Sequence, residues 1–408
     1  MPLNSSTLTQ DLLKITDTCV QCGLCSPHCP TYRLSEDENE SPRGRLMLGK
    51  AVLKGDLTLT PRIQNHIDSC LQCRSCERVC PSGVKFGEYM NGLRQTLAQT
   101  NQKSLPATTT AYVELLSSHH KTKQLNKWLW LAQRTGLRYL GEKFLLGKHK
   151  RLLQSLPTIQ RSKTLKTHYP PVGKETQRVM LFSGCTDDLF GQQIIDTAIK
   201  VLNLLGVHVE VPNQQRCCGG LSLHSGDYSQ AEILNTQNTA AFASNESLPI
   251  ITLVSGCASS LIDINKQFAN RVIDISHFLT QLDWPETVNL APLPQTIAVH
   301  SPCSLRNSLR QHESVHKLLS RIPELNLQRL PDSLSCCGAA GTYMLDHPQQ
   351  SAELRQQTLA TLNDEVRLLL TSNIGCSMHL QAGLKQAGRP VKLMHPIELI
   401  AQQLSLIN

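Results

Sequence analysis

Two short runs near the amino terminus share one spacing, C-x2-C-x2-C-x3-C-P: Cys19, Cys22, Cys25, Cys29 and Pro30, then Cys70, Cys73, Cys76, Cys80 and Pro81. Three thiolates at intervals of three let a tight loop wrap one face of an iron-sulfur cube. The fourth leaves with the exiting chain and reaches the other cluster. Cys19, Cys22, Cys25 and Cys80 are therefore assigned to one [4Fe-4S] cluster, and Cys29, Cys70, Cys73 and Cys76 to a second. Zinc is the rival occupant, but its sites pair two C-x2-C units across a loop, a poor fit to these dense runs. Two clusters with exchanged ligands lie close together, which favours passing single electrons; storage or a purely structural role is the competing reading. Gly23 and Ser75 are small residues that ease approach of backbone N–H groups to a cluster. Arg74, Arg78 and Lys85 either offset cluster charge or form ordinary solvated surface.

The chain has sixteen cysteines, and the other eight form a second pattern. Cys185 leads to Cys217-Cys218-Gly219 and then Cys257; Cys303 leads to Cys336-Cys337-Gly338 and then Cys376. Corresponding cysteines are offset by 118 or 119 residues, the mark of a duplication. Each copy offers four thiolates, enough for one further [4Fe-4S] cluster or one zinc ion. The glycine after each pair permits a sharp turn that exposes backbone N–H groups. Buried, unreactive thiols are the plainer alternative. Two histidines lie nearby: His379 at a helix start reads more readily as a cap or surface residue than as a ligand, and His300, before Ser-Pro-Cys303, has no stronger claim.

These cysteines need a scaffold. Short apolar runs at 178–183, 207–211 and 249–254, and again at 296–299, 326–330, 366–371 and 391–394, read as buried strands. Helix-period segments at 188–205, 228–244, 314–322, 348–363 and 396–405 lie between them. Strands alternating with helices predict parallel α/β layers, whose ligands gather at the carboxyl ends of the strands; Cys185, Cys257 and Cys376 directly follow predicted strands. The expected fold class is α+β and multidomain: a mostly helical two-[4Fe-4S] ferredoxin-type domain over 1–100, a basic helical connector over 101–175, and two duplicated α/β modules over 176–285 and 295–408. The connector is strongly basic, with Lys121, Lys123, Lys127, Arg134, Arg138, Lys143, Lys148, Lys150 and Arg151, and its stretch from Leu125 through Trp128, Trp130 and Phe144 can form an amphipathic helix with a cationic face. It can lie in a membrane interface; the favoured reading packs its apolar stripe on the ferredoxin domain.

Composition excludes other classes. With 408 residues, 40% hydrophobic and 18% charged, the chain supports two or three cores. It begins without a basic, apolar leader, so a cytoplasmic, reducing setting is expected, where clustered cysteines hold metals rather than disulfides. Nothing approaches the roughly eighteen apolar residues of a spanning helix. A net charge of +8 and 4% aromatics give no nucleic-acid platform. Neither a dinucleotide-binding G-x-G-x-x-G after a strand nor a nucleophile elbow is present.

The doubled C-xn-C-C-G-xn-C pattern resembles the cysteine-rich CCG domains of heterodisulfide reductase, the iron-sulfur subunit of anaerobic glycerol-3-phosphate dehydrogenase, lactate-utilisation proteins and the glycolate oxidase (glycolate dehydrogenase) iron-sulfur subunit. The order of ferredoxin and two CCG modules resembles the last over essentially the whole chain. Cys29-Pro30-Thr31-Tyr32, Ser41-Pro42-Arg43-Gly44-Arg45, Cys80-Pro81-Ser82-Gly83-Val84, Cys336-Cys337-Gly338-Ala339-Ala340-Gly341-Thr342-Tyr343 and Asn373-Ile374-Gly375-Cys376 carry the likeness. Heterodisulfide-type modules end in C-x2-C, whereas Ser260 and His379 stand at the second position here, which argues against disulfide-cleaving clusters. The resemblance implies an electron-transfer subunit whose FAD-binding partner subunits oxidise glycolate to glyoxylate, with electrons passing to a membrane acceptor such as quinone and a peripheral contact at the inner face of the cell membrane. Lactate, glycerol 3-phosphate or another 2-hydroxy acid stays open as substrate, as does a heterodisulfide-reductase-like enzyme.

Overall fold

The computed structural model describes residues 5–99, 107–144, 159–331 and 336–407. The part of the basic connector that carries Lys148, Lys150 and Arg151 lies outside the described residues.

The N-terminal domain is helical. The helix Pro42–Lys54 starts because Ser41 Oγ accepts from the Gly44 N–H with Pro42 at the first position, and stops at Gly55 in the left-handed region. Its neighbours Ser5–Asp17 and Phe86–Gln99 pack with it around a core of Leu12, Leu46, Ile67, Tyr89, Met90 and Leu93. Cys19, Cys25, Cys70, Cys76 and Cys80 lie in or against that core.

The two later modules are α/β. In the first, β1 (His168–Tyr169), β2 (Gln177–Leu181), β3 (Val207–Glu210), β4 (Ile250–Thr252) and β5 (Val272–Asp274) lie in the order β1-β3-β2-β4-β5. In the second, β6 (Thr296–Val299), β7 (Asn326–Arg329), β8 (Leu368–Leu370) and β9 (Lys392–Met394) lie in the order β7-β6-β8-β9. Every pairing is parallel except β1 with β3. Remove β1 and the two orders coincide, so the repeat in the sequence is also a repeat of topology. The fold class read from the sequence, α+β with a helical ferredoxin-type domain and two α/β modules, is the fold observed. Two strands had no sequence signal, the short β5 and the polar antiparallel edge β1; and β7, expected to be buried, is an edge strand whose residues are exposed or half-buried.

The two modules share one core. Val179, Leu181 and Ile251 of the first sheet and Ile297, Val299 and Leu370 of the second belong to a single buried cluster. The helix Gln192–Leu204 of the first module packs on Pro396–Gln403 of the second, while Ile275–Gln281 of the first packs on His312–Leu319 of the second. In each case a helix after a first strand meets a helix after a last strand, as in the self-complementary contact of a symmetric dimer.

The connector corrects the sequence reading. It forms three helices, Ala107–Ser117, His119–Arg134 and Leu137–Phe144; Gly136 in the left-handed region (φ 78°) breaks the single amphipathic helix that was expected. The packed face is the one that carries Thr122, Leu125 and Asn126, and its support is not the ferredoxin domain. Thr122 and Asn126 are the buried residues of His119–Arg134, and Asn126 Nδ2 donates to the carbonyls of Gln160 (2.9 Å) and Leu189 (3.0 Å), so the support is the first α/β module. Trp128, Leu137, Tyr139 and Phe144 stay exposed.

Candidate iron-sulfur site

Both N-terminal cysteine loops have the same backbone. The residue two after the first cysteine and the residue after the second take left-handed values: Gln21 (55°) and Gly23 (80°) in one loop, Gln72 (50°) and Arg74 (57°) in the other. Alternating backbone of this kind turns successive N–H groups to one side and builds an anion-binding concavity. A side chain in the left-handed region costs roughly 1 kcal/mol, and at Arg74 this is offset by anchoring: its guanidinium donates to Asp263 Oδ2 at 2.6 Å and Ser308 Oγ at 3.0 Å, one from each α/β module. Arg74 is thus no solvated surface residue, whereas Arg78 and Lys85 are exposed.

Cys29, Cys70, Cys73 and Cys76 line one small apolar cavity together with Arg45 and Phe86. Burial, followed by the sulfurs of Cys303, Cys29 and Cys70, pushes the Cys73 thiol well above its usual range, and burial does the same to Cys76. Thiols so placed ionise only for a cationic occupant, so the donor set suits iron. Cys19, Cys25 and Cys80 pack half-buried on the ferredoxin core, and Cys22 is exposed. The exposed apolar residues Val20 and Leu24 flank it. One quartet therefore faces solvent and the other the interior.

Sequence reasoning missed the role of Arg45. It is only 1% exposed; Nη1 lies 3.8 Å from Cys29 Sγ and 3.0 Å from Thr31 Oγ1, Nη2 donates to Ser69 Oγ at 2.9 Å and pairs with the Glu40 carboxylate, and Nε donates to the His66 carbonyl at 2.7 Å. A buried cation beside a cysteine ligand lowers the cost of charge in the cavity. The only signal was its place in Ser41-Pro42-Arg43-Gly44-Arg45.

The strand ends gather the other thiols. Cys185 follows β2, the pair Cys217-Cys218 follows β3 and Cys257 follows β4; Cys185 and Cys217 sulfurs are 3.5 Å apart. S–H donors from Cys217 and Cys257 hold the Cys218 thiol well below its usual range. Ser260, in the position of a fifth cysteine, turns its hydroxyl to the Gly256 carbonyl at 3.0 Å. In the second module the four thiols Cys303, Cys336, Cys337 and Cys376 are in sequential contact. His379 is not with them: its Nε2 lies 3.2 Å from both oxygens of Ser351.

The second module also touches the ferredoxin domain through sulfur. Cys73 and Cys336 are buried in one cluster with Cys303 packed against it, and Asn307 Nδ2 donates to the Cys73 carbonyl at 2.7 Å. Beside this junction a cavity of about 470 Å³ opens between all three modules, with Cys70, Leu221 and Tyr343 in its wall.

The family profile of the 4Fe-4S dicluster domain matches residues 15–84, and that of the cysteine-rich domain matches residues 179–262 and 297–381. The chain is 31% identical over 94% of its length to the probable glycolate oxidase iron-sulfur subunit of Bacillus subtilis, covering 93% of that protein. It belongs to the glycolate oxidase iron-sulfur subunit family. The glycolate oxidase iron-sulfur subunit of Escherichia coli is 30% identical over 99% of this chain and 97% of its own length. Lactate utilization protein A 2 of Bacillus cereus is 26% identical over 56% of this chain and 99% of itself. In this family order, a dicluster module and then two cysteine-rich modules, iron-sulfur clusters are the cofactor of the N-terminal part. No helix among the described residues is long and apolar enough to cross a membrane.

Proposed function

We propose that this chain is the electron relay of a glycolate dehydrogenase complex, with Cys19, Cys22, Cys25 and Cys80 holding one [4Fe-4S] cluster and Cys29, Cys70, Cys73 and Cys76 the other. A cluster bound in each quartet supplies one-electron transfer. The observation that carries the reading is the run of sulfur from exposed Cys22, through the buried second quartet, to Cys303 and Cys336 packed against Cys73. The chain's own residues do the positioning: Arg74 ties the second loop to both α/β modules, and Arg45 places a cation beside Cys29.

A cluster protein cannot easily accept a hydride, so the oxidation of the hydroxy acid belongs to FAD-binding partner subunits. Val20 and Leu24, 68% and 56% exposed around Cys22, suit a partner that docks over the solvent-facing quartet. The cavity beside Cys70 gives a small acceptor such as a quinone access to the inner quartet. A peripheral membrane contact is supported by Trp128 and Phe144, 69% and 72% exposed, among exposed Lys127, Arg134 and Lys143.

The test is anaerobic co-purification with the flavoprotein, followed by a hydroxy-acid screen. In Cys22→Ser and Cys73→Ser, substrate still reduces the partner's flavin, one cluster signal disappears, and dye reduction by the complex falls to background. Unchanged dye reduction in both variants rejects the relay. A complex that oxidises lactate or glycerol 3-phosphate but not glycolate reassigns the substrate and leaves the relay standing.

A further inference from the structure

The duplication is not symmetric in its chemistry. At the end of β6 the second module carries His300, where the corresponding position of the first module, at the end of β2, carries Phe182. Phe182 packs into an apolar cluster, its ring 6.2 Å from that of Phe242. His300 instead comes together with Cys337 and Cys376: one ligand atom from each lies within 4.8 Å of the others, and all three residues are buried. These residues come from three different strand ends of one sheet, where α/β folds place their ligands. Thr371 Oγ1 lies 3.0 Å from His300 Nδ1, leaving Nε2 as the nitrogen available to a metal. A hydrogen bond of this kind on the other ring nitrogen is what fixes the ring of a ligating histidine.

We propose that His300, Cys337 and Cys376 form a mononuclear site for a zinc-class divalent ion in the second module, distinct from the two N-terminal clusters. The donor set is one nitrogen and two sulfurs, and Cys336, in contact with Cys337, is the thiol a bound ion would draw in to close the fourth position. Nitrogen and sulfur donors in a four-coordinate, water-excluding setting suit zinc, and a closed site of this kind is structural. It pins the ends of β6 and β8 to the cysteine-pair loop, the same loop that meets Cys73. Among the described residues the first module's cysteines form no such group with a histidine, so the site is particular to the second copy.

The proposal is independent of which acid the complex oxidises, and its test reads metal rather than turnover. The probe is the full chain, purified without oxygen, with zinc and iron counted per chain and the same chain grown with cobalt in place of zinc. We expect about one zinc beside about eight iron, and thiolate-to-cobalt absorption with a nitrogen ligand resolved by X-ray absorption. His300→Phe, which installs the residue of the first module, and Cys337→Ser each lower zinc at least tenfold while iron stays near eight. Should either variant fold poorly, His300→Gln and X-ray absorption of the wild type decide the ligand set. Zinc unchanged in His300→Phe, an all-sulfur zinc spectrum, or iron lost in place of zinc overturns the site. Loss of the relay in Cys73→Ser with zinc retained leaves it intact, so the two ideas fail separately.

Discussion

Arg45 and Glu40 are a buried pair on which the inner quartet leans, and their surroundings decide what replacement does. Glu40 also accepts from Ser69 Oγ at 2.6 Å and meets His66 Nδ1 at 2.6 Å, so Arg45→Met strands an anion that its remaining partners only partly satisfy. Breaking one side of a buried pair costs about 3–5 kcal/mol, and we expect a loss of that order in chemical unfolding of the anaerobic protein. The double change Arg45→Met with Glu40→Gln should cost less, because no unpaired charge remains. In a redox titration followed by electron paramagnetic resonance, Arg45→Gln should lower the potential of the inner cluster, since a positive charge near Cys29 favours the reduced, more negative state. An unchanged or raised potential would show that Arg45 only braces the fold.

At the scale of elements, the connector helices separate two ideas that their sequence left joined. Asn126 and Thr122, with Leu125 beside them, fasten His119–Arg134 to the first α/β module, which leaves Lys127, Trp128 and Arg134 exposed. Such a surface binds a bilayer through buried aromatic area plus attraction to anionic lipid. Flotation with anionic vesicles should carry the chain at low salt and release much of it at high salt, and Trp128→Ser with Phe144→Ser should abolish it. Recovery in the lower fraction at both salt concentrations removes the membrane contact and leaves the patch to a protein partner. The strands illustrate a different limit. Apolar runs marked β2, β3, β4 and all four strands of the second sheet, but β5 is Val272-Ile273-Asp274, too few apolar residues to make a run, though its counterpart β9 was visible as a run at 391–394.

For the whole molecule, the junction between the two α/β modules includes a pH-sensitive bond. His395 Nε2 donates to the Leu253 carbonyl of the other module at 2.9 Å, and Nδ1 accepts from the Ile397 N–H at 3.1 Å. The second bond needs the neutral ring, because a protonated Nδ1 cannot accept. Burial lowers its pKa from the usual 6.5 to about 4, so between these values the unfolded chain binds a proton that the folded chain refuses. Stability contributed by neutral His395 is therefore full above pH 6.5 and is lost as pH falls towards 4. The melting temperature should drop over that window, and in His395→Asn, which keeps an N-cap oxygen, the pH slope should shrink by up to one proton. An identical slope in the variant would assign the acid sensitivity to other groups.

Local spacing along the chain determined much of this protein. The intervals within Cys19–Cys29 and Cys70–Cys80 set the loop backbone, and the 118- or 119-residue offset announced two modules of one topology, because short-range geometry and duplication are written in consecutive residues. Tertiary structure alone decided what lies beside what. That Cys73 meets Cys303 and Cys336, that Arg74 reaches Asp263, and that His300 rather than His379 joins the cysteine pair depend on the docking of surfaces far apart in sequence. Burial and the meeting of helices set that docking, and no local pattern of residues encodes it.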